Sequence, residues 1–69
     1  MKVRDVLRLL RRDGWYLVRT TGSHAHYQHR VKRGTVTVAG SGNDDLAPKT
    51  LRSILRQAGF RYPFLLEDE

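Results

Sequence analysis

What most limits the fold of this chain is the order in which its hydrophobic periodicities change, from helical to alternating and back to helical. Val3, Val6, Leu7 and Leu10 recur at i, i+3, i+4 and i+7, which predicts a helix ended by Gly14. Arg4, Arg8, Arg11 and Arg12 fall off that stripe, so the helix turns a basic face to water. Trp15 to Thr20 is dense in aromatic and β-branched residues, as a strand would be, with Trp15 and Leu17 on one face and Tyr16 and Val18 on the other. A second strand is expected from about Ser23 to Arg30. A tight turn at Lys32-Arg33-Gly34 then leads into Thr35-Val36-Thr37-Val38, which buries Val36 and Val38. After a glycine- and aspartate-containing loop over 39–45, Pro48 suits a first helical position, and Leu51, Ile54, Leu55 and Ala58 form a second apolar stripe. Gly59 is placed to cap that helix, with Phe60 beside it for the accompanying hydrophobic contact. The expected class is therefore α+β, in the order α-β-β-β-α, with a three-stranded antiparallel meander and two helices on one face.

The 69 residues make one domain, expected over 1–60, with 61–69 as a C-terminal tail. Chains of about 60 residues bury only about 60% of their unfolded surface, so there is little room for a deep pocket. Cysteine is absent, which removes disulfides, thiolate metal sites and a cysteine nucleophile. No apolar run reaches the ~20 residues of a membrane span, and residues 1–20 lack the h-region of a signal peptide. The expectation is a soluble, cytoplasmic protein with no membrane partner.

Charge narrows the partner. Thirteen Lys and Arg stand against seven Asp and Glu, a formal +6. Glu67, Asp68 and Glu69 cluster at the end, so residues 1–66 carry the same thirteen cations against only Asp5, Asp13, Asp44 and Asp45, a formal +9. A domain this basic has the electrostatic footprint of a polyanion binder, and nucleic acid is the commonest such partner.

All three histidines lie within Thr21-Gly22-Ser23-His24-Ala25-His26-Tyr27-Gln28-His29. Acid–base chemistry near neutrality starts here, because histidine is the side chain whose unperturbed pKa, about 6.5, lies in that range. Alternation puts His24, His26 and Gln28 on one side of the second strand and Tyr27 and His29 on the other. The His24-x-His26-x-x-His29 spacing also admits a zinc reading, against which the same alternation argues, since His29 points away. Asp44 and Asp45 are read as preceding a helix N-terminus, where the dipole favours anions, rather than as metal ligands. No metal and no cofactor are expected.

The Gly22-Ser23-His24 triplet, followed by Tyr27 and His29, resembles the signature of the HicA toxins, small RNA-cleaving proteins of bacterial and archaeal toxin–antitoxin pairs. Ile54-Leu55-Arg56-Gln57-Ala58-Gly59 resembles that family's closing helix, and the likeness runs over roughly residues 2–60. It implies a double-stranded-RNA-binding-domain-like fold, metal-independent cleavage of mRNA, catalysis by His24, and a HicB-type antitoxin that covers the active site. Tyr27 falls at the family's structural aromatic position, and His29 at a position where a polar ring or amide is frequent. Many members carry a proline and then a histidine after the third strand; here the segment is Ala39-Gly40-Ser41, so neither is present.

RNA carries its own nucleophile, so a base need only take the 2′-hydroxyl proton while that oxygen attacks phosphorus. RNA contacts are expected from Ser23, His26, Lys32, Arg33, Lys49 and Arg52, of which Lys32, Arg33 and Lys49 are chosen because turns and helix N-termini can present such side chains to a groove. Two alternatives stand beside this reading: a non-catalytic RNA-binding module of the same fold, and an adaptor that docks a protein through its helix faces and the Phe64-Leu65-Leu66 tail.

Overall fold

The computed structural model describes residues 1–60, and the two helices and three strands arise where the periodicities change. Helix α1 runs Val3–Arg12, followed by strands β1 (Tyr16–Thr21), β2 (His24–Gln28) and β3 (Val36–Ala39) and helix α2 (Pro48–Gln57). The sheet is antiparallel in the order β1-β2-β3, so β2 is central. This is the expected α+β architecture of the double-stranded-RNA-binding-domain type.

Both helices end in the same way. Gly14 (φ 105°) and Gly59 (φ 77°) follow the last turns of α1 and α2 in the left-handed region. After α1, Trp15 N–H donates to the Leu10 carbonyl and Gly14 N–H to the Arg11 carbonyl. Phe60 N–H and Gly59 N–H do the same to Leu55 and Arg56. These paired bonds are a Schellman motif, and each motif turns an aromatic, Trp15 or Phe60, back onto the core.

The start of α1 is capped by a distant loop. Val3 and Arg4 donate their backbone N–H groups to the carbonyls of Asp44 and Gly42, at 2.9 and 3.1 Å, satisfying two donors that have no partner within the helix. Lys2 bridges to Asp45 in the backbone, and its ammonium lies 3.3 Å from that carboxylate. Asp44 meanwhile accepts from the Ser41 N–H. The adjacent acids thus pin the chain's first residues, whereas the sequence suggested a place before the second helix; α2 has no acid in its first turn.

One face of the sheet takes the core. Val3, Val6 and Leu10 from α1, Tyr27, Val36 and Val38 from the sheet, Ile54 from α2, Ala58 just after it, and Trp15 form one buried cluster. Both helices therefore cover the same side, as expected. They leave β1 uncovered: all six of its residues are exposed, and Leu17, which alternation sets on the same face as Trp15, is 52% exposed. The link between β2 and β3 is also longer than a tight turn at 32–34, since β3 begins only at Val36. The tail residues 61–69, read as packing or docking a partner through Tyr62, Phe64, Leu65 and Leu66, lie outside the described residues.

Candidate active site on the open face of the sheet

The side of the sheet away from the helices is reached through a two-residue hairpin. Gly22 adopts φ 58° and Ser23 does not share that region, the pattern of a type II′ turn, whose twist matches the flanking strands. The turn closes on the pair Thr21↔His24, so His24 is the first residue of the central strand. Its other neighbour is Ala39, and the Gly40 N–H donates to the Ser23 carbonyl at 3.0 Å, fixing the end of the sheet. His24 is exposed, and its ring has no hydrogen-bond or ion-pair partner among the described residues. A histidine held on a fixed backbone with both nitrogens uncommitted is free to exchange a proton with a ligand.

His26 follows two residues on, about 6.6 to 6.8 Å along the strand and on the same side. It is half-buried, and its Nδ1 lies 3.1 Å from the Thr37 hydroxyl across the strand pair, while Nε2 is buried without a partner. The row across the sheet at this level is Arg19, His26 and Thr37; the row at the sheet's end is Thr21, His24 and Ala39. No acidic side chain stands in either row.

Arg19 is a residue that plain alternation misplaces. Tyr16 pairs with Gln28 and Leu17 with Tyr27, so an unbroken ladder would set Val18 against His26 and turn Arg19 toward the core side. Instead the register shifts between Leu17 and Arg19: Val18 is an extra residue, and Arg19 stands opposite His26. The sequence carries no separate mark of that bulge.

His29 is elsewhere and fully engaged. It follows β2, and its Nε2 donates to the Asp13 carbonyl at 2.7 Å. Its Nδ1 accepts the backbone N–H groups of Val31 and Lys32, both at 3.0 Å. Backbone N–H groups only donate, so this donor–acceptor logic assigns the neutral Nε2–H tautomer. The ring also meets Trp15 edge-on, with centroids 5.2 Å apart. Its bonds therefore tie the 29–35 loop to the α1–β1 turn, beyond the end of β2, where the sequence placed His29 inside the second strand on the side of Tyr27. Among the described residues, no three His, Asp or Glu side chains come together as a metal site.

The other expected contact residues divide into two groups. Ser23 lies in the hairpin turn beside His24. Arg33, Lys49 and Arg52 are exposed, with no partner among the described residues, on the β2–β3 loop and on α2. Lys32 differs, because its ammonium is 2.6 Å from the Asp13 carboxylate and 3.0 Å from the Ala58 carbonyl, and lies 5.3 Å from the Phe60 ring centre. It closes the end of α2 onto the loop.

Among known proteins, the family described as the HicA toxin of bacterial toxin–antitoxin matches residues 3–60. The matched stretch covers all five elements and the Gly22-Ser23-His24 turn. No curated protein matches the chain. No helix is long and apolar enough to cross a membrane, among the residues described.

Proposed function

Because the chain belongs to the HicA toxin family, and so has a cognate antitoxin, we propose that it is a metal-independent endoribonuclease that cleaves mRNA at His24. The carrying observation is the state of that residue: an uncommitted imidazole on the central strand, at the end of an open face whose cross-strand rows hold no carboxylate among the described residues.

In this reading His24 removes the 2′-hydroxyl proton as the 2′ oxygen attacks the adjacent phosphorus. The bond from phosphorus to the 5′ oxygen breaks, that oxygen takes a proton from water, and the strands end in a 2′,3′-cyclic phosphate and a 5′-hydroxyl. A positioned general base contributes roughly 10²- to 10⁴-fold. Ser23, His26, Arg33, Lys49 and Arg52 meet the RNA, and Lys32 supports them by fixing the loop that carries Arg33. Neither a metal nor a cofactor enters the step. The antitoxin, of HicB type, covers His24 with an acidic surface that complements the basic domain. The site works in the cytoplasm, where mRNA is translated.

The test is to incubate the protein and its His24→Ala variant with a long RNA in EDTA and to identify the new ends. Cleavage by the parent alone, leaving 5′-hydroxyl ends, is the expected result. If neither protein cuts and both bind RNA equally, the domain is a binding module and the catalytic reading is lost.

A further inference from the structure

The β-bulge at Val18 has a chemical consequence. It moves Arg19 from the core side of β1 to the side that carries His24 and His26. Bulges are over-represented beside active sites, where the extra residue re-aims a side chain. Arg19 then stands directly across from His26, one row from Thr21↔His24. Directly opposed Cβ atoms are about 4.5 to 5.5 Å apart and diagonal neighbours about 7 to 8 Å, so a guanidinium on this row is within reach of any group that also touches His24.

Three features suit this arginine to a phosphate. It is exposed, and it has no hydrogen-bond or ion-pair partner among the described residues, so no carboxylate of those residues competes for it. The cross-strand rows around it hold His26, Thr37, Thr21, His24 and Ala39, none of them acidic. Its planar fork of donors matches two oxygens of one phosphate at once, which a lysine cannot do. The other arginines and lysines without a partner among the described residues lie on α1, on the β2–β3 loop and on α2, outside these rows.

We propose that Arg19 is the phosphate-binding residue of this face, holding the two non-bridging oxygens of the phosphate whose neighbouring 2′-hydroxyl is deprotonated by His24. This rests on the reading of His24 as the general base. Its donors then neutralise charge as it grows on those oxygens during attack, and nothing in the atom balance of the step changes. Loss of one positioned donor to a developing oxyanion typically lowers turnover by about 10²- to 10³-fold.

The test compares the parent, Arg19→Gln and Arg19→Lys in two measurements. The first is single-turnover cleavage of an RNA in EDTA. The second is the salt dependence of binding to the same RNA carrying 2′-O-methyl groups, which removes the nucleophile. Arg19→Gln should cut about 10²-fold more slowly. It should also lower the slope of log K against log salt by about 0.7, the value of one phosphate contact on a single strand, a change that a merely structural role would not produce. Arg19→Lys, which keeps the charge but not the fork, should restore the slope and only part of the rate. Parent-like cutting and slope in Arg19→Gln would overturn the proposal while leaving His24 as the base. If the parent does not cut RNA at all, the nuclease reading fails separately. Arg19 is then judged on the slope, and an unchanged slope overturns it.

Discussion

His24 and His29 are the same residue type five positions apart, and the chain uses them in opposite ways. At His29 each ring nitrogen is committed: Nδ1 accepts two backbone N–H groups, Nε2 donates to a carbonyl, and the ring lies against Trp15. At His24 neither nitrogen has a partner among the described residues. His29 spends its hydrogen-bonding capacity on holding a loop against a helix terminus. His24 is held only by its backbone, on the central strand of the sheet, with that capacity unspent among the described residues. In the proposed reading the domain gains rigidity from His29 and reactivity from His24.

Substitutions can break this contrast. The largest effect is expected at His24, where alanine should lower RNA cleavage by about 10²- to 10⁴-fold. As an exposed site without side-chain partners, it should leave stability within about 0.5 kcal/mol, read by thermal melting. Gly14→Ala strikes the opposite region. Gly14 has φ 105°, and an added Cβ would sit 2.7 Å from His29 Nε2, so backbone strain and the collision act together. A loss of about 2 to 4 kcal/mol is expected, of which the strained backbone alone supplies about 1 to 3 kcal/mol. Chemical denaturation would measure it, and a parent-like midpoint would show that the His29 corner carries no stability.

His29→Ala should cost about 1 to 3 kcal/mol, because it strands the N–H groups of Val31 and Lys32 and the Asp13 carbonyl. For a domain of this size that is a fall of roughly 4 to 24 °C in melting temperature, at about 4 to 8 °C per kcal/mol. Cleavage below the new transition should persist. The smallest and sharpest comparison is between neighbours: Lys32→Met should lower stability by about 1 kcal/mol through its lost partners. Arg33→Ala should leave the melt unchanged and instead reduce the salt dependence of RNA binding. Identical behaviour of the two variants would erase the distinction between an engaged and a free cation.

Much of this was legible in the residues. Gly14 and Gly59 marked both helix ends, Val36 and Val38 declared the buried side of β3, and period-2 alternation put His24 and His26 together opposite Tyr27. What escaped depended on long-range pairing. The bulge at Val18 exists only relative to β2, and nothing in Leu17-Val18-Arg19 announces it, so Arg19 could not be placed. Leu17 shares the face of Trp15 by alternation yet stays exposed, because alternation reports which side a residue faces, not whether a helix reaches that far. Lys32 read as a free cation because its partners, Asp13 and the Ala58 carbonyl, lie 19 and 26 residues away in sequence. His29 was drawn out of the sheet by the amides just after it, a local contact that a strand pattern does not describe. The role of His24 itself rested on the Gly-Ser-His resemblance, since an exposed strand histidine is ordinarily a surface residue.

The most direct measurement sets His24→Ala beside His29→Ala, each incubated with RNA in EDTA at a temperature where thermal melting shows both folded. His29→Ala should cut and leave 5′-hydroxyl ends, whereas His24→Ala should not cut. Cleavage by His24→Ala at the parent's rate would contradict the account, because the uncommitted histidine would then not be the one that does the chemistry.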